Sequence, residues 1–199
     1  MINHCFIFAM FCRASFSIPN TSLFKRTIIF NDQMPSAYIT NDFIIDNKLK
    51  KHMYSVEHIF PRSFLRKRDH NDMHNIIRTF NDLNVNRSNY KYTDILTDDK
   101  HWIELDYNNY VNHKLRLFIP NTLTRGFIAR AILYMIKEYD YDPSKVIINK
   151  DVLVKWFHKY PPNISEKYHN DIVYKLQKKN NIFISSYHKK SIQRFIDSL

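Results

Sequence analysis

A proline closes the run YSVEHIF, residues 54–60, and this one placement narrows what the neighbouring chain can form. Tyr, Val, Ile and Phe favour an extended strand, and Pro61 has no N–H to give to the next rung of a sheet. The predicted strand therefore runs from Tyr54 to Phe60 and ends at Pro61, with Glu57 and His58 in its second half. A basic loop, RSFLRKRDHND, follows, MHNII reads as a second short strand, and the apolar spacing around Phe80, Leu83 and Asn84 suits a helix. The order is strand, loop, strand, helix.

Elsewhere the patterning is mixed. Residues 15–50 place apolar triplets (Thr27 to Phe30, Phe43 to Ile45) among Asn, Asp and Pro with no sustained period, and predict an irregular start with one or two strands. HWIELDY and KLRLFI flank the polar NNYVNH, which predicts a hairpin or paired strands. In TRGFIARAILYMIKEY, Phe127, Ile128, Ala131, Ile132 and Met135 share a helical face, with Arg125 and Arg130 near its edges. Two further helices are predicted, one from Asp151 as N-cap and one from Ser165, the latter with an apolar stripe of Tyr168, Ile172 and Leu176. The C-terminal KKSIQRFIDSL spaces Ile192, Phe195, Ile196 and Leu199 helically opposite a basic face. The fold class is α+β, with one domain and tails.

The charge decides which partners to expect. Thirty Lys plus Arg stand against 19 Asp plus Glu, a formal +11, which favours polyanions: nucleic acid first, an anionic membrane surface second. No run approaches the roughly 18 apolar residues of a bilayer span. INHCFIFAMFCRAS has a short apolar run like a signal-peptide core, but no Lys or Arg precedes it and Arg13 follows closely. Both cysteines, Cys5 and Cys12, lie inside it, so the remainder of the fold stands without disulfides. A single glycine, Gly126, beside abundant Asn, Ile, Lys and Tyr marks a compositional bias, so Asn-rich stretches are discounted as motifs.

Glu57, His58 and Asn84 make a chemically coherent set. Phosphodiester hydrolysis needs an activated water, charge neutralisation on the phosphate and help for the leaving oxygen. A neutral histidine suits the first task, and a carboxylate with an amide oxygen supplies hard ligands for Mg²⁺. Singly, each residue has a blander explanation as a surface or turn residue. Adjacent strand residues also point to opposite faces, so a bulge or the strand end at Pro61 must re-aim one of the pair.

EHIFP, then DMHNI (Asp72 to Ile76), then LNVNRSN (Leu83 to Asn89) resemble the successive blocks of the bacterial endonuclease I family, non-specific nucleases of the ββα-metal (His-Me finger) superfamily. PNTLTRGFIARAILYM and KWFHKYPPNISEKYHNDIVYKLQKKNNIFI resemble that family's later blocks, so the likeness spans Tyr54 to Ile184, roughly two thirds of the chain. The resemblance implies a ββα-metal core with additional strands and helices: an N-terminal segment over 1–50, the catalytic domain over 51–187 and a basic amphipathic helix over 188–199. It makes His58 the general base and Glu57 and Asn84 the ligands of a single Mg²⁺, with Mn²⁺ an acceptable substitute. His74 and Asn75 become scaffold residues, Asn75 on the second strand. One loop arginine assists the phosphate, Arg66 or Arg68 ahead of Arg62. Arg87, Arg125 and Arg130 are candidate contacts to nucleic acid, although Arg87 has an equal claim to a structural ion pair. Arg78 stands where the family usually has proline, and the family's disulfide cysteines between the first two blocks are missing. The implied substrate is DNA, with RNA a second possibility, the implied state a monomer, and the implied location outside the cytoplasm. Two readings compete with the nuclease: a catalytically inactive nucleic-acid-binding protein on the same fold, and a structural protein using its basic C-terminal helix at a membrane.

Overall fold

The structure is a computed structural model that describes residues 21–39 and 53–199. The segment around Cys5 and Cys12 and the triplet Phe43–Ile45 lie outside the described residues. Where the sequence predicted a strand at Thr27 to Phe30 there is a helix, α1 (Thr21–Phe30). Phe24 and Ile28, four residues apart, bury on one side of it, and a mixed stretch with that spacing gains more by packing as a helix than as an unpaired strand. Its partners are Met34, Met73, Ile76 and Val173, so this segment is built into the fold.

β1 (Tyr54–His58) pairs antiparallel with β2 (Ile76–Phe80), setting Glu57 opposite Ile77 and His58 opposite Ile76. The helix α2 (Asn81–Arg87) starts directly after β2 and packs against both strands. Asn75 is not on the second strand: it closes a 3₁₀ turn, Met73–Asn75, just before β2. Arg78, on β2, is buried and donates to Ser36 Oγ (2.6 Å) and to the carbonyls of Ile29, Asn31 and Met34. A proline at this position would leave the end of α1 and the chain after it without that anchor, because four polar groups between Ile29 and Ser36 meet one guanidinium.

The second sheet has the order β3-β6-β5-β4, with β3 (Lys91–Tyr92) parallel to its neighbour and the others antiparallel. Here β4 is Trp102–Leu105, β5 Asn109–Asn112 and β6 Leu117–Ile119. The polar NNYVNH is therefore not a linker between paired strands but supplies β5, a strand paired on both sides. Its asparagines are structural: buried Asn109 donates to the carbonyls of Tyr38 (2.8 Å) and Asp106 (2.7 Å) and accepts from Asn121 N–H (2.9 Å).

The main core is organised by α3 (Arg125–Tyr139), whose residues Gly126 to Met135 are all buried, as befits a helix surrounded by other elements. α4 (Lys150–Lys159) contributes Trp156 and Phe157, and its N-cap is Asn149, accepting from Val152 N–H at 3.0 Å, not Asp151. α5 (Ile164–Gln177) is capped by Asn163 rather than Ser165. Its buried face is Glu166, His169, Asn170 and Val173, whereas the predicted stripe of Tyr168, Ile172 and Leu176 lies half-buried at one side. The sequence rule failed because these polar residues all find partners inside: Glu166 pairs with Arg130, and Asn170 Oδ1 accepts from Asn181 N–H. Two short helices finish the chain, α6 (Ile182–Ser185) and α7 (Lys190–Asp197), the latter burying Ile192 and Ile196.

Candidate active site

Because β1 ends at His58, the chain turns away from the sheet directly after the Glu57–His58 pair, and α2 returns Asn84 beside them. An open cleft of about 340 Å³ results, lined by Glu57, His58, Asn84, Arg62 and Arg87 together with Val56, Pro61 and Ser88–Asn89. The expected clash between neighbouring strand residues is resolved by depth. Glu57 points inward, where its Oε1 accepts from Tyr38 Oη (2.9 Å) and lies 3.1 Å from Arg87 Nη1, while His58 stays half-buried at the wall.

His58 is held by a backbone group. Its Nε2 lies 2.9 Å from the carbonyl oxygen of His70, and a carbonyl can only accept, so Nε2 carries the hydrogen and Nδ1 keeps the lone pair. Burial lowers its pKa below the usual histidine value, helped by the positive charges of Lys25 and Arg62, while the bond to His70 works the other way. The imidazole is thus neutral at physiological pH, the state a proton acceptor needs. The loop after it is fixed by buried Asn75, whose Oδ1 accepts from Phe60 N–H (2.7 Å) and whose Nδ2 donates to Phe60 C=O (2.9 Å).

Glu57 and Asn84 bring a carboxylate and an amide to the cleft, oxygen donors of the kind a hard cation takes. Asn84 spends its amide nitrogen on Ser55 Oγ (2.9 Å) and Val56 C=O (3.3 Å), which turns its oxygen away from β1. Both contacts to Glu57 named above fall on the same oxygen, Oε1. Burial raises the Glu57 pKa, and Arg87 and Tyr38 oppose that rise, favouring the carboxylate. Among the described residues no three His, Cys, Asp or Glu side chains converge as a metal cage. Two protein oxygens with water completing the shell is a sparse set that suits Mg²⁺.

The arginines separate clearly. Arg62, exposed in the cleft, donates from Nε to His70 Nδ1 at 3.1 Å. Arg66 is turned to Asp69 (2.8 Å) and Tyr139 C=O (2.8 Å), Arg68 reaches toward Asp69, and neither lines the cleft. Arg87, 1% exposed, is an internal residue: besides Glu57 it holds the carbonyls of His58 (3.3 Å) and Ile59 (2.5 Å), and it stacks on Tyr92. Arg130, expected at a nucleic-acid surface, is buried in a two-pronged ion pair with Glu166. Arg125 donates to Pro120 C=O and faces the Trp156 ring, away from the cleft. His74 is buried against Tyr134, its Nε2 on Lys179 C=O. Sequence reasoning missed Tyr38, which lies in a stretch without periodicity, and His70, whose backbone oxygen carries no sequence signal at all.

A two-stranded hairpin that ends on Glu-His, followed by a helix that brings an asparagine to the same cleft, is the ββα finger of nuclease folds. The sequence profile of the Endonuclease I family matches residues 18–187, and the chain belongs to that family. The match takes in α1, ahead of the blocks legible in the sequence. An extracellular deoxyribonuclease of Aeromonas hydrophila is 32% identical over 114 residues, covering 57% of this chain and 48% of that protein. The aligned chain thus spans about half the length of this relative. Among the described residues no helix is long and apolar enough to cross a membrane.

Proposed function

We propose that the protein is a metal-dependent, largely sequence-non-specific endonuclease that hydrolyses phosphodiester bonds of DNA, with RNA a second substrate. The observation that carries this reading is the convergence of Glu57, His58 and Asn84 on one cleft, with the His58 hydrogen fixed on Nε2 by His70. In the proposed reaction His58 Nδ1 takes a proton from water, which attacks phosphorus in line with the leaving 3′ oxygen. Arg62 offers its guanidinium to a non-bridging phosphate oxygen. Glu57 and Asn84 would hold the cation, Mg²⁺ or Mn²⁺, which would supply positive charge to the phosphate and the leaving oxygen. Arg87 and Tyr38 keep the Glu57 carboxylate in place, and Asn75 keeps the turn after His58. The leaving 3′ oxygen takes a proton from solvent water and His58 returns its own to solvent, so the products carry 5′ phosphates and 3′ hydroxyls. The basic surface binds the backbone rather than the bases, so affinity falls steeply with salt and sequence preference is slight. The name of the Aeromonas relative supports DNA as substrate and export as the setting.

The test is nicking of supercoiled plasmid by purified protein with Mg²⁺, with Mn²⁺ and with EDTA. Conversion to open-circular and linear forms that stops in EDTA supports the proposal. DNA binding without cleavage in either metal contradicts it and favours the inactive binding protein.

A further inference from the structure

We infer that the turn between β5 and β6, residues 113–116 with the sequence HKLR, is a second phosphate-holding site, with Arg116 gripping the nucleic-acid backbone that flanks the scissile phosphate. The nature of the ligand rests on the nuclease reading. His113, Lys114, Leu115 and Arg116 are all exposed, so three basic side chains stand at the tip of a hairpin. The turn is firmly built: Asn112 Oδ1 accepts from Leu115 N–H (2.9 Å), and Arg116 C=O accepts from Lys91 N–H (3.1 Å). Arg116 itself sits in the left-handed region, φ 56°, a conformation with a cost for a non-glycine residue that concentrates at functional positions.

The side chain of Arg116 is oriented toward the cleft. Its guanidinium lies 4.9 Å from the centre of the Tyr90 ring, and Nη2 donates to Oδ1 of Asn89, a residue of the cleft wall. Tyr90 is steadied from the other side by His113, with Oη 3.2 Å from Nδ1 and the rings edge to face at 5.7 Å. A neutral amide and an aromatic face position the guanidinium without cancelling its charge, which a carboxylate partner would do. A fork held this way at the rim of a phosphodiester site has the geometry to take one phosphate bidentately. None of these residues belongs to the Glu57, His58 and Asn84 set, so their work is binding rather than bond breaking.

Arg116→Asn tests this with little risk to the fold, because asparagine tolerates the left-handed conformation. Tyr90→Leu removes the ring beneath the guanidinium and serves as a second variant. Affinity for a DNA duplex is measured in EDTA over a range of salt, and kcat and KM with metal on the duplex and on a p-nitrophenyl phosphodiester of thymidine, too small to reach the turn. The expected result for Arg116→Asn is roughly tenfold weaker binding and higher KM on duplex, and a salt slope lower by about 1. kcat and turnover of the small ester stay at the wild-type level, and Tyr90→Leu shifts KM in the same direction. Unchanged affinity and salt slope overturn the inference, and so does a joint fall in melting temperature, kcat and small-ester turnover, which marks a purely structural turn. A wild type that binds duplex but cleaves nothing overturns the nuclease reading, and the affinities in EDTA then still decide the role of the turn.

Discussion

Arg87 carries a formal charge where water does not reach, and its neighbours explain why that is tolerated. Glu57 supplies the opposite charge and the carbonyls of His58, Ile59 and Ser88 accept from its terminal nitrogens, so one guanidinium joins Glu57 to the backbone that follows His58. Removing one member of a buried pair leaves the other uncompensated, which costs far more than the pair contributes. Arg87→Ala is therefore expected to lower unfolding stability by about 3–5 kcal/mol, read from the urea midpoint, and Arg87→Lys to recover only part because it lacks the fork. Wild-type stability in Arg87→Ala would show that the pair is absent in solution. Gly126 is a second position where one atom matters. A Cβ there would run into the carbonyl oxygen of Tyr160, so the single glycine lets α3 meet the end of α4. Alanine normally improves a helix interior, yet Gly126→Ala is expected to destabilise by about 1–3 kcal/mol through overpacking. A raised melting temperature would disprove that close approach.

At the scale of elements, the ββα unit is the most legible part of the chain, because its signals are local. The strand stops at His58, three residues short of Pro61, the helical spacing around Leu83 does start a helix, and Glu57, His58 and Asn84 fall on those elements as their order predicts. What the sequence did not disclose depends on distant partners. α1 reads as a broken strand until Met73, Ile76 and Val173 are there to receive Phe24 and Ile28. β5 reads as a polar linker because the groups that satisfy Asn109, from Tyr38 to Asn121, lie up to 71 residues away in sequence. The inner face of α5 reads as outer for the same reason, its polarity being matched by Arg130 and Asn181. Among the loop arginines, Asp69 engages Arg66 and Arg68, whereas Arg62 lines the cleft, a difference that spacing alone does not encode.

For the whole molecule, buried histidines set a limit on acid stability. His169 is fully buried, and burial, with His74 beside it adding repulsion, pushes its pKa down to about 3 against a weaker upward pull from its bond to Ile76 C=O. Burial lowers His74 in the same direction. Below the unfolded value of about 6.5 the unfolded chain takes up a proton that the folded chain refuses, so acid favours unfolding. His169 alone is expected to remove stability on the order of 1 kcal/mol per pH unit as the pH falls below about 6.5, while above pH 7 it contributes no slope. His169→Gln should flatten urea-midpoint profiles by one proton's worth, and an unchanged profile would show that His169 titrates freely. The same α5 packs against the 3₁₀ turn that ends in Asn75, so the integrity of the active cleft follows that of the core. We propose that this core presents His58 as the base of a nuclease, and plasmid nicking by His58→Ala at a melting temperature matching wild type tests it most directly. The expected rate is lower by about 10²–10⁴ with DNA affinity retained; nicking at the wild-type rate would contradict that role for His58.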